Sequence, residues 1–209
     1  MTLSTYRTDA RRILHDPNGD TFSDTTLNAF INEALPKRDR ITLCNRALQT
    51  LVLTPATDGP YAFSALSNTR TFDVIGINVI FNGVRYVLSR RSFTMLNVRV
   101  RQLSPSWQDI PVVYAVYGTS VYFGPSPSLA YTTEWDTAVY SATLTNDTDD
   151  DGISYPFTEP VKYYVAALAK LNERRWEAHD MFMDKFDRTC LELTQATRGI
   201  VANPYAARA

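Results

Sequence analysis

The 209-residue chain is poor in the residues from which many active sites are built, with two cysteines, two histidines and eight glycines. Cys44 and Cys190 are too few for a disulfide framework and read as buried free thiols. His15 and His179 stand far apart in sequence and offer no metal-ligand spacing. With so few glycines there is no phosphate-cradling loop, and no cofactor is expected. Long apolar runs are missing as well. Segments such as Val112 to Val116 are far too short for a membrane-spanning helix, so no membrane partner is expected. Met1-Thr2-Leu3-Ser4 lacks a charged stretch leading into an apolar one, so no secretory signal is read and synthesis is assigned to a cytoplasm.

Three catalytic or ligand-binding patterns begin and then fail. Gly124-Pro125-Ser126-Pro127-Ser128 starts like a nucleophile elbow, but it lacks the closing glycine and its two prolines cannot make that strand-to-helix turn. Asp147, Asp149 and Asp151 with Gly152 copy the first half of a calcium loop, but Thr158 stands where a bidentate Glu is required and Glu159 comes one residue late. Glu134 and Asp136 share one face of an expected strand and could pair as glycosidase carboxylates. Opposite Tyr131 and Trp135, they read instead as two solvated acids on an outer face. A small hydrolase using these two acids is the least favoured reading of the chain.

The net charge of -1 hides blocks of opposite sign. Between Val74 and Gln108 lie five arginines, Arg85, Arg90, Arg91, Arg99 and Arg101, and no acid. From Gln102 to Val161 there is no Lys or Arg but eight acids: Asp109, Glu134, Asp136, Asp147, Asp149, Asp150, Asp151 and Glu159. Segregation of this kind bears on association more than on fold. It makes the five arginines and the loop acids Asp147, Asp149, Asp150 and Asp151 candidate contacts between identical subunits. The alternative for the arginines is electrostatic contact with nucleic-acid phosphate. No motif for reading a nucleic-acid sequence accompanies them.

Leu3, Tyr6, Ala10, Ile13 and Leu14 recur at helical spacing, and Asp16-Pro17-Asn18-Gly19 ends that helix. Ser23 caps a second helix carrying the stripe Leu27, Phe30, Ile31, Ala34 and Leu35, with Phe22 placed to staple onto Leu27. Pro36 is expected to kink or end it. From about Leu48 the texture turns to β-branched and aromatic residues. Asn82-Gly83 reads as a two-residue hairpin turn, and Gly118-Thr119-Ser120 joins a second hairpin. Thr158 with Glu159-Pro160 opens a final helical region with the stripes Val161, Tyr164, Val165, Leu168, Leu171 and Phe182, Phe186, Cys190, Leu193, stopped by Gly199. It fits two helices or one bent one.

Neither helical end is long enough to bury its own stripe. The expected fold is therefore α+β: a discontinuous helical bundle from residues 1–46 and 155–200, with an antiparallel β domain, 47–154, inserted between them. Residues 201–209, containing Pro204, Tyr205 and Arg208, are expected to be unstructured in the free subunit, and on the residues alone a frayed terminus with no role is the plainer reading.

Taken in order, several motifs resemble the head-to-tail adaptor proteins of tailed bacteriophages. They are Phe22-Ser23-Asp24-x-x-Leu27-x-x-Phe30-Ile31-Asn32-Glu33-Ala34, then Pro60-Tyr61, then Tyr114-x-x-Tyr117-Gly118 leading to Tyr122-Phe123-Gly124-Pro125-x-Pro127, and last Glu159, Val161, Tyr164, Ala166 and Ala169. The specificity lies in their order along nearly the whole chain. Pro36 and the acidic loop depart from the pattern.

The resemblance implies a virion structural protein, not an enzyme: a ring, usually of twelve identical subunits, in the neck between head and tail. Its partners would be the portal protein, tail or nozzle proteins, and DNA passing without sequence preference. Assembly would take place in the host cytoplasm. It also implies that the C-terminal end, with Pro204, Tyr205 and Arg208, grips the portal. Another neck or tail structural protein is the alternative.

Overall fold

The computed structural model describes residues 1–98 and 107–197. In chain order the elements begin with α1 (Leu3–Leu14), α2 (Asp24–Thr42), β1 (Arg46–Val52), β2 (Tyr61–Ala62), β3 (Thr71–Phe81), β4 (Val84–Val87), β5 (Ser89–Arg90) and α3 (Phe93–Leu96). They continue with β6 (Gln108–Asp109), β7 (Val113–Tyr117), β8 (Ser120–Gly124), β9 (Ser126–Pro127), β10 (Thr132–Val139), α4 (Glu159–Asn172) and α5 (Trp176–Thr197). The described residues form two compact units, one from Met1–Asn45 with residues 140–197, the other from residues within Arg46–Val139.

In the helical unit, Thr2 and Ser23 cap α1 and α2, each accepting a backbone amide on its hydroxyl. The apolar stripes of α1 and α2 meet those of α4 and α5 in one core that includes Leu3, Tyr6, Leu27, Ile31, Val165 and Phe186. Tyr164 meets Phe186 edge to face, with ring centroids 5.1 Å apart. Of the two outcomes expected of Pro36, it does not end α2, for the helix continues through it to Thr42. A proline inside a helix costs about 3 kcal/mol. The turn beyond it is held by Arg38 and Asp39, both wholly buried and tied to other segments. Thr158 stands at the N-cap of α4, the start of the final helical region, but its side chain caps nothing there.

The strand unit has one four-stranded antiparallel sheet in the order β1-β10-β3-β4 and a second sheet in the order β2-β8-β7-β5. The expectation of antiparallel pairing holds for the long strands, whereas the two-residue pairings β5 with β7 and β6 with β9 are parallel. Asn82 (φ 50°) and Gly83 (φ 75°) form the tight turn between β3 and β4, where both central residues are left-handed. Residues of both sheets share a core of Val74, Ile77, Val79, Tyr114, Phe123 and Trp135. Gln49 is buried but fully engaged. Its amide donates to Thr71 and Thr137 hydroxyls at 2.9 and 2.6 Å, and its carbonyl oxygen accepts the Asn68 amide at 2.6 Å.

Residues 140–154, expected with the strands, fold with the helices. The cause lies in the first turn of α1, whose amides would otherwise lack acceptors. Leu3 donates to the Asp149 carbonyl at 3.0 Å and Ser4 to the Asp147 carbonyl at 3.2 Å, while Thr2 bridges Asp150.

Candidate interaction sites

The acidic loop is the densest run of like charge in the sequence, and each of its four aspartates has partners inside the helical unit. Asp147 pairs with Arg7, which also reaches Asp24 at 2.9 Å. One Asp149 carboxylate oxygen accepts the Thr145 and Asn146 amides, each at 2.8 Å. The Asn146 and Thr145 amides hold the Asp149 carboxyl down at about 2. Asp150 accepts the Met1 amine and the Gly152 amide, each at 2.6 Å.

Asp151 lies deepest, its side chain 0% exposed. One oxygen accepts the Met1 amine at 2.7 Å and the Ile153 amide at 3.2 Å. The other accepts the Tyr6 hydroxyl at 2.7 Å and Arg38 Nη1 at 2.8 Å. Burial opposes ionisation here, but the amine, Arg38 and Tyr6 overcome it and hold the carboxyl below its ordinary value. Arg38 also donates through Nε and Nη2 to Asp39 Oδ1, at 3.0 and 2.7 Å, and to the Ser141 hydroxyl at 3.0 Å. The remaining Asp39 oxygen accepts the Ser141 amide at 2.7 Å.

Most of the loop is exposed, and only the Asp151 side chain is wholly buried. Asp151 is unavailable to a neighbouring subunit, and Asp147, Asp149 and Asp150 serve the chain's own N-terminal helix. The sequence reading missed Arg38 and Asp39 altogether. A signal for them existed: Arg38 lies four residues after Ala34, and Asp39 four after Leu35, so both continue the buried stripe of α2.

The arginine block likewise finds partners in its own unit. Arg85 clasps Glu134 with two bonds, Nε to Oε2 at 2.6 Å and Nη2 to Oε1 at 2.9 Å. Arg90 donates to the Val74 carbonyl at 2.9 Å and to Asp73 at 3.2 Å. The Arg91 side chain is exposed, and its backbone amide donates to the Tyr114 carbonyl at 2.8 Å. Arg99, Arg101, Pro204, Tyr205 and Arg208 lie outside the described residues.

Glu134 and Asp136 do share the outer face of β10, but each is bound by an arginine, Asp136 by Arg46. The hydrogen bonds from Arg85 hold the Glu134 carboxyl below its ordinary value. A general acid at neutral pH needs the opposite shift. Among the described residues, no three His, Cys, Asp or Glu side chains come together as a metal site, and no helix is long and apolar enough to cross a membrane.

Exposed apolar surface gathers elsewhere. In the first sheet it lies on the edge strands, with Leu48 71% exposed on β1 and Val87 81% exposed on β4. Near the tip of the β7–β8 hairpin, Phe93 stacks on the exposed Tyr117 with ring centroids 4.5 Å apart. Single exposed apolar residues are ordinary, whereas clusters of them mark surfaces made to be covered.

Compared with curated proteins one by one, the chain matches none. The model of one family, described as SU10 adaptor protein, matches residues 1–208. Spanning almost the whole chain and both units, that match shows that this protein belongs to the SU10 adaptor family of phage head-to-tail adaptors.

Proposed function

We propose that the protein is a structural subunit that closes into a ring in the virion neck, joins the capsid portal to the tail, and lets DNA pass through the ring's centre. Family membership over residues 1–208 carries this reading. The buried charge is spent on internal pairing, the Glu134 carboxyl is held ionised by Arg85, and exposed apolar residues line both edges of the first sheet. These features suit a subunit whose work is done by interfaces, with no reaction of its own.

The ring has twelve copies and is assembled in the host cytoplasm. Tail or nozzle proteins attach to its free side. The C-terminal end, through Pro204, Tyr205 and Arg208, grips the portal. Because the acidic loop is compensated within the chain, the exposed arginines Arg90 and Arg91 are assigned to the DNA channel, as non-specific contacts to phosphate.

Imaging of the protein bound to portal-bearing capsids tests the whole reading. A closed ring between portal and tail is expected, and a truncation after Arg198 should keep its helicity but fail to attach. A single copy per particle, or full attachment of the truncated chain, would count against the reading or against its portal contact respectively.

A further inference from the structure

We infer that neighbouring copies join by sheet extension, with the β4 edge of one copy pairing antiparallel to the β1 edge of the next. The inference rests on the ring reading above and gives it a specific interface.

The first observation is topological. In the order β1-β10-β3-β4 every pair is antiparallel, so β1 and β4 run in opposite directions at opposite edges. A neighbour's β4 laid beside β1 continues the alternation without a break. The same contact repeats from copy to copy, which is the heterologous geometry that closes rings.

The second is chemical. Unshared edges are normally guarded by charges or prolines that discourage pairing. Here β1 reads Arg-Ala-Leu-Gln-Thr-Leu-Val and β4 reads Val-Arg-Tyr-Val, with no proline and one charge apiece. Both charges turn inward over the sheet, Arg46 to Asp136 and Arg85 to Glu134. The edges are left apolar and open: Leu48 and Val52 on β1, and Val84, Tyr86 and Val87 on β4, are all exposed. On the outer face, which Leu48, Val52 and Val87 share while Val84 and Tyr86 point to the other, the middle strands carry Glu134, Asp136 and Asn78. Exposed apolar residues along both edge strands fit edge pairing better than a partner lying flat on the sheet.

Thr50 and Val87 occupy the same face, in line through Glu134 and Asn78. Within one chain they are three strand spacings apart, about 14 Å. Across the inferred junction they are neighbours. The test places Thr50→Cys and Val87→Cys in a Cys44→Ser chain, singly and together, and treats assembled phage particles with a short bismaleimide. The double variant should give a ladder of covalent multimers, and neither single variant should cross-link. A closed ring seen by imaging with no ladder from the double variant would overturn the junction and leave the ring standing. A covalent dimer from either single variant would show a two-fold contact and overturn it too. A single copy per particle would overturn both this inference and the ring reading.

Discussion

Arg38 and Asp151 form an ion pair at 2.8 Å in which neither side chain is exposed to solvent. They are 113 residues apart, one near the end of α2 and the other in the loop before α4. Desolvating two charges is costly, and their attraction offsets that cost only when the remaining donors and acceptors are also satisfied. Tyr6, Asp39, Ser141 and the Met1 amine complete that shell.

Removing one partner should therefore be far worse than removing both. Arg38→Met should destabilise the helical unit by about 3–5 kcal/mol, because it leaves Asp39 and Asp151 buried without their shared cation. Adding Asp39→Asn and Asp151→Asn should recover part of the loss. Urea unfolding followed by far-ultraviolet circular dichroism reads both. Equal stability of Arg38→Met and the native chain would mean that the network is structurally idle.

Stability should also fall with acid. Asp149, Asp150 and Asp151 all have folded-state values below those of a free carboxyl, so their contribution is complete above the unfolded value and is lost as pH drops toward the folded ones. The window runs from about pH 5 down to about pH 2. At the alkaline end the sign reverses. Burial raises the Tyr6 hydroxyl above its ordinary value, so its contribution holds below about pH 10 and is lost above it. Melting temperatures measured from pH 3 to pH 8 should show the acid limb, and a flat profile would contradict it.

Gly83→Ala tests the turn between β3 and β4 in isolation. A Cβ at this position would meet nothing within 4 Å, so the substitution acts through backbone strain at φ 75° alone. The expected cost is about 1–2 kcal/mol. It should leave the helical unit's circular dichroism unchanged, and a neutral result would show that the turn relaxes at no cost.

What was legible in the sequence was local. The stripe Leu27, Ile31, Ala34 and Leu35 predicted α2, and Asn82-Gly83 predicted its hairpin, because helix faces and tight turns are decided by residues within a few positions of each other. Pro36 left the end of α2 undecided for the same reason. Its local penalty is real, but contacts of Arg38 and Asp39 with residues far along the chain outweigh it. The exposure of the acidic loop was legible, but the burial of Asp151 was not, because Tyr6, which donates to it, lies 145 residues away in sequence. The sign blocks of the sequence suggested contacts between copies, yet Arg85 finds Glu134 within its own sheet.

The ties between Asp39 and Ser141, and between Asn45 and Ser141, fasten together the two points where the chain leaves and rejoins the helical unit. A stretch of chain whose ends are pinned side by side behaves as a closed loop, and doubling the length of such a loop costs only about 0.6 kcal/mol in closure entropy. The helical unit is thus nearly indifferent to how much polypeptide hangs from that hinge point. Lineages could lengthen, trim or exchange the strand unit to suit a different tail while keeping the helices intact.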